Sequence, residues 1–228
     1  VKNAQRPREI GHYDQGGLVD DFAVKGEVVF AAEATGLQAV NISDPRNPVS
    51  LGSLRTIGRP LALTIAEDYA YLAAGDYGLQ IVDVRDPANM RLTSLYETPG
   101  NAQDVFIAGT YAYIADGQAG LEIVNIADPQ QPKTASVIDQ FQDARSVVVS
   151  GRYAYLADGP NGIWVIDVEK PVTPQTVAFR ETPGTAVDLD IFGVYLFVAS
   201  GDQGVQVVYV QDPLHPTIVG DAQLEGLS

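Results

Sequence analysis

Short runs of apolar and aromatic residues recur along the chain, each bounded by residues that favour turns. In one stretch the runs are DVFIA at Asp104–Ala108, YAYIA at Tyr111–Ala115 and LEIVNI at Leu121–Ile126, and a more variable run follows Pro132. Short runs with turn signals roughly every 8–12 residues are typical of an antiparallel meander. No segment shows an apolar stripe at helical spacing. The pattern therefore predicts four short strands per unit and essentially no helix.

The predicted strands are apolar on both faces. Side chains alternate across a strand, so Leu121 and Ile123 lie on one side of the third run while Val124 and Ile126 lie on the other. A two-sheet sandwich would leave one polar face on each sheet. Four-stranded sheets stacked radially, each covered by its neighbours, would bury both faces, and this is the architecture of a propeller.

The whole unit repeats five times without a slip. A glycine followed by an apolar run and a proline turn recurs at one constant interval, at Gly36, Gly78, Gly120, Gly162 and Gly204. A period of roughly 40–45 residues is typical of four-stranded blades. We predict one all-β domain over 1–228, a five-bladed β-propeller of four-stranded antiparallel blades with a 42-residue repeat. Its repeats span about 21–56, 57–98, 99–140, 141–182 and 183–224.

Residues 7–13, PREIGHY, match a fourth strand without the three strands that should precede it. They align with PVSLGSL at Pro48–Leu54 and with PTIVGDA at Pro216–Ala222. We expect residues 7–13 to form an extra strand that joins the last blade and closes the ring, which would cover an exposed sheet edge. The alternative is a ring of six or more blades, of which this chain is a part.

The repeat core resembles a known family. Its clearest copy, LQIVDVRDP at Leu79–Pro87, is similar to the LVIVD repeat of bacterial and archaeal surface-associated proteins, and the likeness extends from Asp21 to about Gln223. The resemblance implies a propeller and an extracytoplasmic location, and it carries no catalytic residue with it. Lys170 replaces the aspartate before the proline in the fourth repeat, so we expect a weaker turn there.

Composition removes several classes of function. The absence of cysteine excludes a disulfide framework and a thiolate metal site. A net charge of -15 repels phosphate backbones and argues against nucleic acid as a partner. No apolar run reaches the roughly 18 residues that span a bilayer, so direct membrane insertion is not expected. The sequence starts at Val1 without a signal peptide, which we interpret as a processed or excised piece.

One end of the predicted ring should carry an acidic rim. In an up-and-down sheet, the start of the first strand and the second turn lie at the same end. The residues of this acidic rim are Asp21, Asp104 and Asp188, which begin first strands, and Asp116 and Asp158, which open second turns together with Glu33. We favour a structural role, in which each carboxylate accepts backbone hydrogen bonds. The alternatives are a site for a cation or a basic partner, and a pair of glycosidase carboxylates.

Candidate chemistry is otherwise sparse. The two histidines, His12 and His215, lie beside fourth strands away from any carboxylate cluster, and no phosphate-binding loop or metal-spaced cluster occurs. Trp164 replaces the Gln or Glu of the other repeats and is interpreted as packing between blades, with stacking on a ligand as the alternative.

These observations favour a non-catalytic propeller without a cofactor that binds another protein at or outside the cell surface, as one subunit of a larger complex. The first alternative is a glycan-binding lectin, with Trp164 and Tyr77 as stacking groups. The second is a glycoside hydrolase that uses the channel carboxylates.

Overall fold

Each repeat forms one antiparallel sheet of four strands in the computed structural model, which describes residues 8–14 and 17–223. Blade 1 contains β1 (Val19–Lys25), β2 (Val28–Glu33), β3 (Gly36–Asn41) and β4 (Val49–Arg55). Blade 2 contains β5 (Ala62–Ala66), β6 (Tyr69–Ala73), β7 (Leu79–Asp83) and β8 (Arg91–Tyr96). Blade 3 contains β9 (Asp104–Ala108), β10 (Tyr111–Ala115), β11 (Leu121–Asn125) and β12 (Lys133–Ile138). Blade 4 contains β13 (Ser146–Ser150), β14 (Tyr153–Ala157), β15 (Ile163–Asp167) and β16 (Gln175–Arg180). Blade 5 contains β17 (Asp188–Phe192), β18 (Tyr195–Ala199), β19 (Val205–Tyr209) and β20 (Thr217–Ala222).

The five-bladed, all-β propeller predicted from the repeat is confirmed. Strand order within every sheet follows the chain, so each blade is a simple meander. The first strands β1, β5, β9, β13 and β17 contact one another in succession, which places them along the inner edge of the arc of blades. Among the described residues, the only helical segment is a single 3-10 turn at Gly201–Gln203. None of their helices is long and apolar enough to cross a membrane.

The repeated glycine has a steric cause. Gly78 has φ of 66° and Gly120 has φ of 89°, in the left-handed region that favours glycine. A Cβ atom on Gly78 would overlap the carbonyl oxygen of Tyr96 on the neighbouring fourth strand, and one on Gly120 would overlap that of Ile138. Any larger residue would push the third and fourth strands of a blade apart, which explains why the glycine recurs in every repeat.

Four apolar cores lie between successive blades. Each core is formed by apolar side chains from the facing sides of two consecutive blades. Between blades 3 and 4, for example, Tyr113 and Ile123 pack with Val147 and Leu156. Both faces of a middle blade are therefore buried, as the two-sided apolar pattern predicts.

The ring is not closed by blades 1 and 5. Within the described residues, no apolar core joins these two blades. Blade 5 consists of its own four strands alone, and residues 8–13 form no strand. Residue 7 lies outside the described residues. The expected pairing of residues 7–13 with the last blade is thus not seen, because Gly11 lies instead against Pro45 and Arg46 of blade 1.

Candidate functional site

A hydrogen bond between a side chain and the backbone joins the inner strands at each of the four junctions between blades. The Leu63 N–H donates to Asp21 Oδ2 at 2.7 Å, and the Val147 N–H donates to Asp104 Oδ2 at 2.9 Å. The hydroxyl of Thr64 donates to the Val105 carbonyl at 2.8 Å, and the Leu189 N–H donates to Ser146 Oγ at 3.2 Å. Each junction thus sets a short polar side chain of one first strand against the backbone of its neighbour.

Asp104 and Asp188 belong to one small network. The Ser146 hydroxyl lies 2.9 Å from Asp104 Oδ2 and 2.9 Å from Asp188 Oδ1, although it has only one proton to donate. Burial raises the pKa of Asp104 to about 6, against opposing hydrogen bonds from Val147, Ser146 and Val105, and the negative charge of Asp188 raises it further. Protonation of Asp104 would supply the second proton that this network lacks.

Asp116 and Asp158 connect the second turn of one blade to the loop that leaves the preceding blade. Asp116 is buried and accepts hydrogen bonds from the Thr98 hydroxyl and the Gly100 N–H, both at 2.7 Å. Burial raises the pKa of Asp116 despite these bonds. Buried Asp158 accepts four hydrogen bonds. The donors are the N–H groups of Gln142 and Asp143 and the side chains of Asn161 and Trp164.

Four carboxylates of the acidic rim accept hydrogen bonds that hold neighbouring blades together. Asp21, Asp104, Asp116 and Asp158 each accept a hydrogen bond from the backbone of an adjacent blade or its connecting loop. In the part of the chain that is described, no three acidic or histidine side chains converge to hold a metal ion. Glu33 at the second turn of blade 1 is half-buried and lies beside Gly17.

The remaining candidates for chemistry lie apart from one another. His12 and His215 are exposed, and their Nδ1 atoms lie 3.4 Å and 2.8 Å from the carboxylates of Glu9 and Asp212. The ring of Trp164 packs against Phe141, with ring centroids 5.5 Å apart, and against Phe179, with centroids 4.5 Å apart. Tyr77 is half exposed, and its ring lies over Gly58.

Exposed apolar side chains lie at both ends of the arc. On blade 1, Phe22 is 64% exposed, whereas the residues at its position in the other blades are at most 6% exposed. Those residues are Leu63, Val105, Val147 and Leu189. Val24 beside it is also exposed. We call this surface of blade 1 the leading face; it includes Val19, Phe22, Val24, Val29 and Val40.

The other end of the arc is apolar as well. Phe192 is 79% exposed, and Tyr195 is also exposed. Phe197 and Val207 are half-buried, although their counterparts Tyr113 and Ile123 in blade 3 are buried in the core. We call this surface of blade 5, formed by Phe192, Tyr195, Phe197, Val205 and Val207, the trailing face.

Sequence reasoning directed attention to carboxylates and missed these two end faces. One signal was available. The other first strands end in Lys25, Ala66, Ala108 and Ser150 at the position of Phe192. A large apolar residue at the inner edge of the last blade alone is unexpected unless something covers it.

Comparison with known proteins identifies the repeat. A family model described as the LVIVD repeat matches five segments: residues 16–56, 58–98, 99–139, 142–178 and 183–223. No curated protein matches the chain significantly.

Solved structures with the same architecture share little sequence with the chain. The periplasmic gluconolactonase PpgL of Pseudomonas aeruginosa superposes with a TM-score of 0.78 at 16% identity, over 95% of this chain and 74% of its own. The β-propeller domain of Myceliophteria thermophila Cps50 (Swd1) gives 0.79 at 12% identity, over 96% and 76%. The computationally designed Ika8 protein gives 0.72 at 13% identity over 90% of this chain, which spans only 62% of Ika8. At these identities the likeness concerns the fold alone.

Proposed function

Since the chain belongs to the LVIVD-repeat family, we propose that it is a non-catalytic propeller that binds other polypeptides through its leading and trailing faces. The observation that carries this proposal is the exposure of Phe22 and Phe192 at the two ends of an arc whose four internal junctions are closed apolar cores. Contiguous exposed apolar surface on a globular protein is typical of a protein interaction site. An aromatic residue near the centre of such a surface usually contributes a large part of the binding energy.

The two alternatives have less support from the geometry. A stacking site for a sugar needs a free aromatic face, and the Trp164 ring is packed against Phe141 and Phe179. A glycosidase needs two free carboxylates facing one substrate, and the carboxylates of Asp104, Asp116 and Asp158 are engaged with backbone donors. PpgL is a gluconolactonase, and its likeness to this chain at 16% identity transfers no residue of its site.

We propose that this binding takes place outside the cytoplasm, which is the location that the resemblance to surface-associated LVIVD-repeat proteins implies. The net charge of -15 repels other negatively charged macromolecules.

The proposal is tested by capturing partners from the source cells with the purified chain and with two variants, Phe22→Asp and Phe192→Asp. We expect partner recovery to fall by an order of magnitude or more in at least one variant, because a charge at the centre of an apolar interface cannot be solvated there.

Val49→Asp and Leu214→Asp are the matched controls, since both side chains are exposed apolar residues outside the two end faces. Their partner recovery should equal that of the original chain. Equal recovery with all four variants would disprove binding through the end faces.

A further inference from the structure

The segment 8–13 occupies the place of an outer strand from a blade that precedes blade 1. In the arc, the fourth strand of each blade packs against the proline turn of the next blade. Ser94 and Ser136 donate their hydroxyls to the carbonyls of Pro129 and Pro171, both at 2.6 Å. Gly52 occupies the same position in blade 1, and a Cβ atom there would lie 2.8 Å from the carbonyl oxygen of Pro87.

Gly11 repeats this contact one blade earlier. A Cβ atom on Gly11 would overlap the carbonyl oxygen of Pro45, which is the counterpart of Pro87 in blade 1. The sequence alignment of PREIGHY with PVSLGSL also pairs Gly11 with Gly52. At the other end of the arc, Gly220 has the same position in blade 5, and a Cβ atom there would meet nothing within 4 Å. A segment in the position of an outer strand thus lies before blade 1, and within the described residues no proline turn covers the outer strand of blade 5.

The three inner strands that would pair with residues 8–13 are absent from the described part of the chain. Where they would lie, the structure has an open groove of about 370 Å³ between the segment and blade 1. Its walls include Tyr13 on one side and Phe22, Val29, Val40 and Ile42 on the other. The counterpart of Phe22 in blade 3, Val105, is buried by the inner strands of blade 2.

The inner edge of blade 5 also carries an acceptor for a hydrogen bond from a following blade. Asp21 and Asp104 use Oδ2 to accept an N–H from the next first strand. Asp188 has the corresponding position, and its Oδ1 is engaged by Ser146 and by its own Leu189 N–H. Within the described residues, Asp188 Oδ2 has no such donor. The Asp188 side chain is exposed, so this oxygen can accept a hydrogen bond from an additional first strand.

We propose that the two end faces are the docking surface for a pair of further repeats of this family, the second of which takes residues 8–13 as its outer strand. This inference rests on the proposed function and names the partner of the same two faces. To cover both end faces, the added repeats must supply one complete blade and the three inner strands of a second blade. The five blades of this chain span 74% of PpgL and 76% of Cps50. The quarter of each chain that lies beyond them is large enough for between one and two further blades.

The direction of the chain determines which of the two repeats lies at which end face. Every fourth strand in the arc leads within a few residues to the first strand of the next blade, as β12 at Lys133–Ile138 leads to β13 at Ser146–Ser150. The complete blade therefore follows β20 at the trailing face. The three strands of the second repeat lie against the leading face, beside residues 8–13, and their side chains enter the groove.

The test extends the full chain with repeats of its own. A copy of residues 99–172, which holds blade 3 and the three inner strands of blade 4, is joined after residue 224 to keep the period of the repeat. Hydroxyl-radical footprinting measures the reactivity of Phe22 and Phe192, and light scattering gives the mass. We expect a monomer in which Phe22 reactivity falls about ten-fold, from 64% exposure toward the 6% or less of its counterparts.

Two point variants and a longer extension test whether the added repeats close the ring at the expected contacts. Gly11→Val in the extended chain should restore the reactivity of Phe22, since the new side chain would displace residues 8–13 from Pro45. Asp188→Asn should lower the melting temperature of the extended chain more than that of the original chain, because Asp188 Oδ2 gains an N–H donor from the added first strand only in the extended chain. A longer extension, residues 99–182, brings its own fourth strand, β16, which should compete with residues 8–13 and release them to proteolysis.

Reactivity of Phe22 and Phe192 that is the same in the original and extended chains would overturn the inference. Burial of these residues between two copies of the extended chain would also overturn it, since the occupant would then be a second copy. Failure of closure while partner capture still depends on Phe22 and Phe192 would leave the proposed function standing. Closure by the added repeats would support the inference and also the proposed function, because the added repeats would then be the polypeptide that the two faces bind.

Discussion

Asp104 in blade 3 accepts a hydrogen bond at 2.9 Å from the backbone N–H of Val147 in blade 4, which lies 43 residues further along the chain. Asp21 makes the equivalent bond to Leu63, 42 residues away, at 2.7 Å. These bonds fix the inner edge of one blade against the next. The carboxylates at the inner edge are therefore part of the framework, and the interaction surfaces that we propose lie at the two ends of the arc.

The Asp104 network makes stability depend on pH. Burial raises the pKa of Asp104 from 3.8 to about 6, so the folded state holds this proton more tightly than the unfolded chain does. The stabilisation from Asp104 is complete below about pH 4 and is lost as the pH rises through 6, at a cost of up to about 3 kcal/mol. Asp104→Asn keeps an uncharged side chain at every pH. Relative to the original chain, we expect this variant to gain unfolding free energy from pH 4 to pH 7.

Urea unfolding at several pH values measures this difference, and it separates Asp104 from the other buried carboxyls. Burial also raises the pKa of Asp116 and Glu122, but both groups are present in the two proteins compared. A constant difference between variant and original from pH 4 to pH 7 would contradict the assignment of this pH dependence to Asp104.

Ile123 tests the packing between blades. Its side chain is fully buried in the core between blades 3 and 4. We expect Ile123→Ala to lower the unfolding free energy by roughly 2–5 kcal/mol, because the rigid sheets cannot collapse into the cavity. Val137→Ala on the outer strand of the same blade is the control, since Val137 is exposed and should cost little. Equal chemical denaturation midpoints for the two variants would contradict this placement.

Lys170 offers a stabilising substitution. In blade 3, Asp128 accepts a hydrogen bond from the Gln130 N–H at 3.0 Å, which supports the proline turn. Blade 4 retains the backbone bond from Thr173 to the carbonyl of Lys170 but has no carboxylate at that position. We expect Lys170→Asp to raise the unfolding free energy by about 0.5–1.5 kcal/mol, through a bond from the Val172 N–H. Asp128→Ala should lower it by a similar amount, and a melting temperature that falls in both variants would refute this explanation.

The fluorescence of Trp164, the one tryptophan of the chain, reports on the hydrogen bonds of Asp158. Its carboxylate accepts the Trp164 indole N–H at 3.2 Å and two backbone N–H groups of the preceding loop. We expect Asp158→Ala to lower the unfolding free energy by roughly 2–3 kcal/mol, because buried donors lose their acceptor. The emission of Trp164 should shift at the same time.

Asp202→Ala is the matched control for Asp158, since Asp202 is an exposed carboxylate on the corresponding turn of blade 5. Its unfolding free energy and tryptophan emission should match those of the original chain. If Asp158→Ala behaves like Asp202→Ala, the carboxylate does not hold the loop.

Much of the architecture follows from the sequence because its causes are local and repeated. The glycine at Gly120 is needed where third and fourth strands approach closely, and its recurrence defined the period of the repeat. The apolar residues on both faces of Leu121–Ile126 required a neighbour on each side, which only a stack of blades supplies. The rim carboxylates could also be placed at one end of the arc from the strand order alone.

What the sequence could not decide is where the arc stops. Curvature depends on how wide each apolar core is and on the tilt between sheets, which are properties of packing across blades and leave no local pattern. The sequence alone determined five four-stranded blades and identified residues 7–13 as the likeness of an outer strand. Only the tertiary structure showed that Gly11 lies against Pro45 and that Phe22 and Phe192 remain exposed, because these outcomes depend on contacts between segments far apart in the chain.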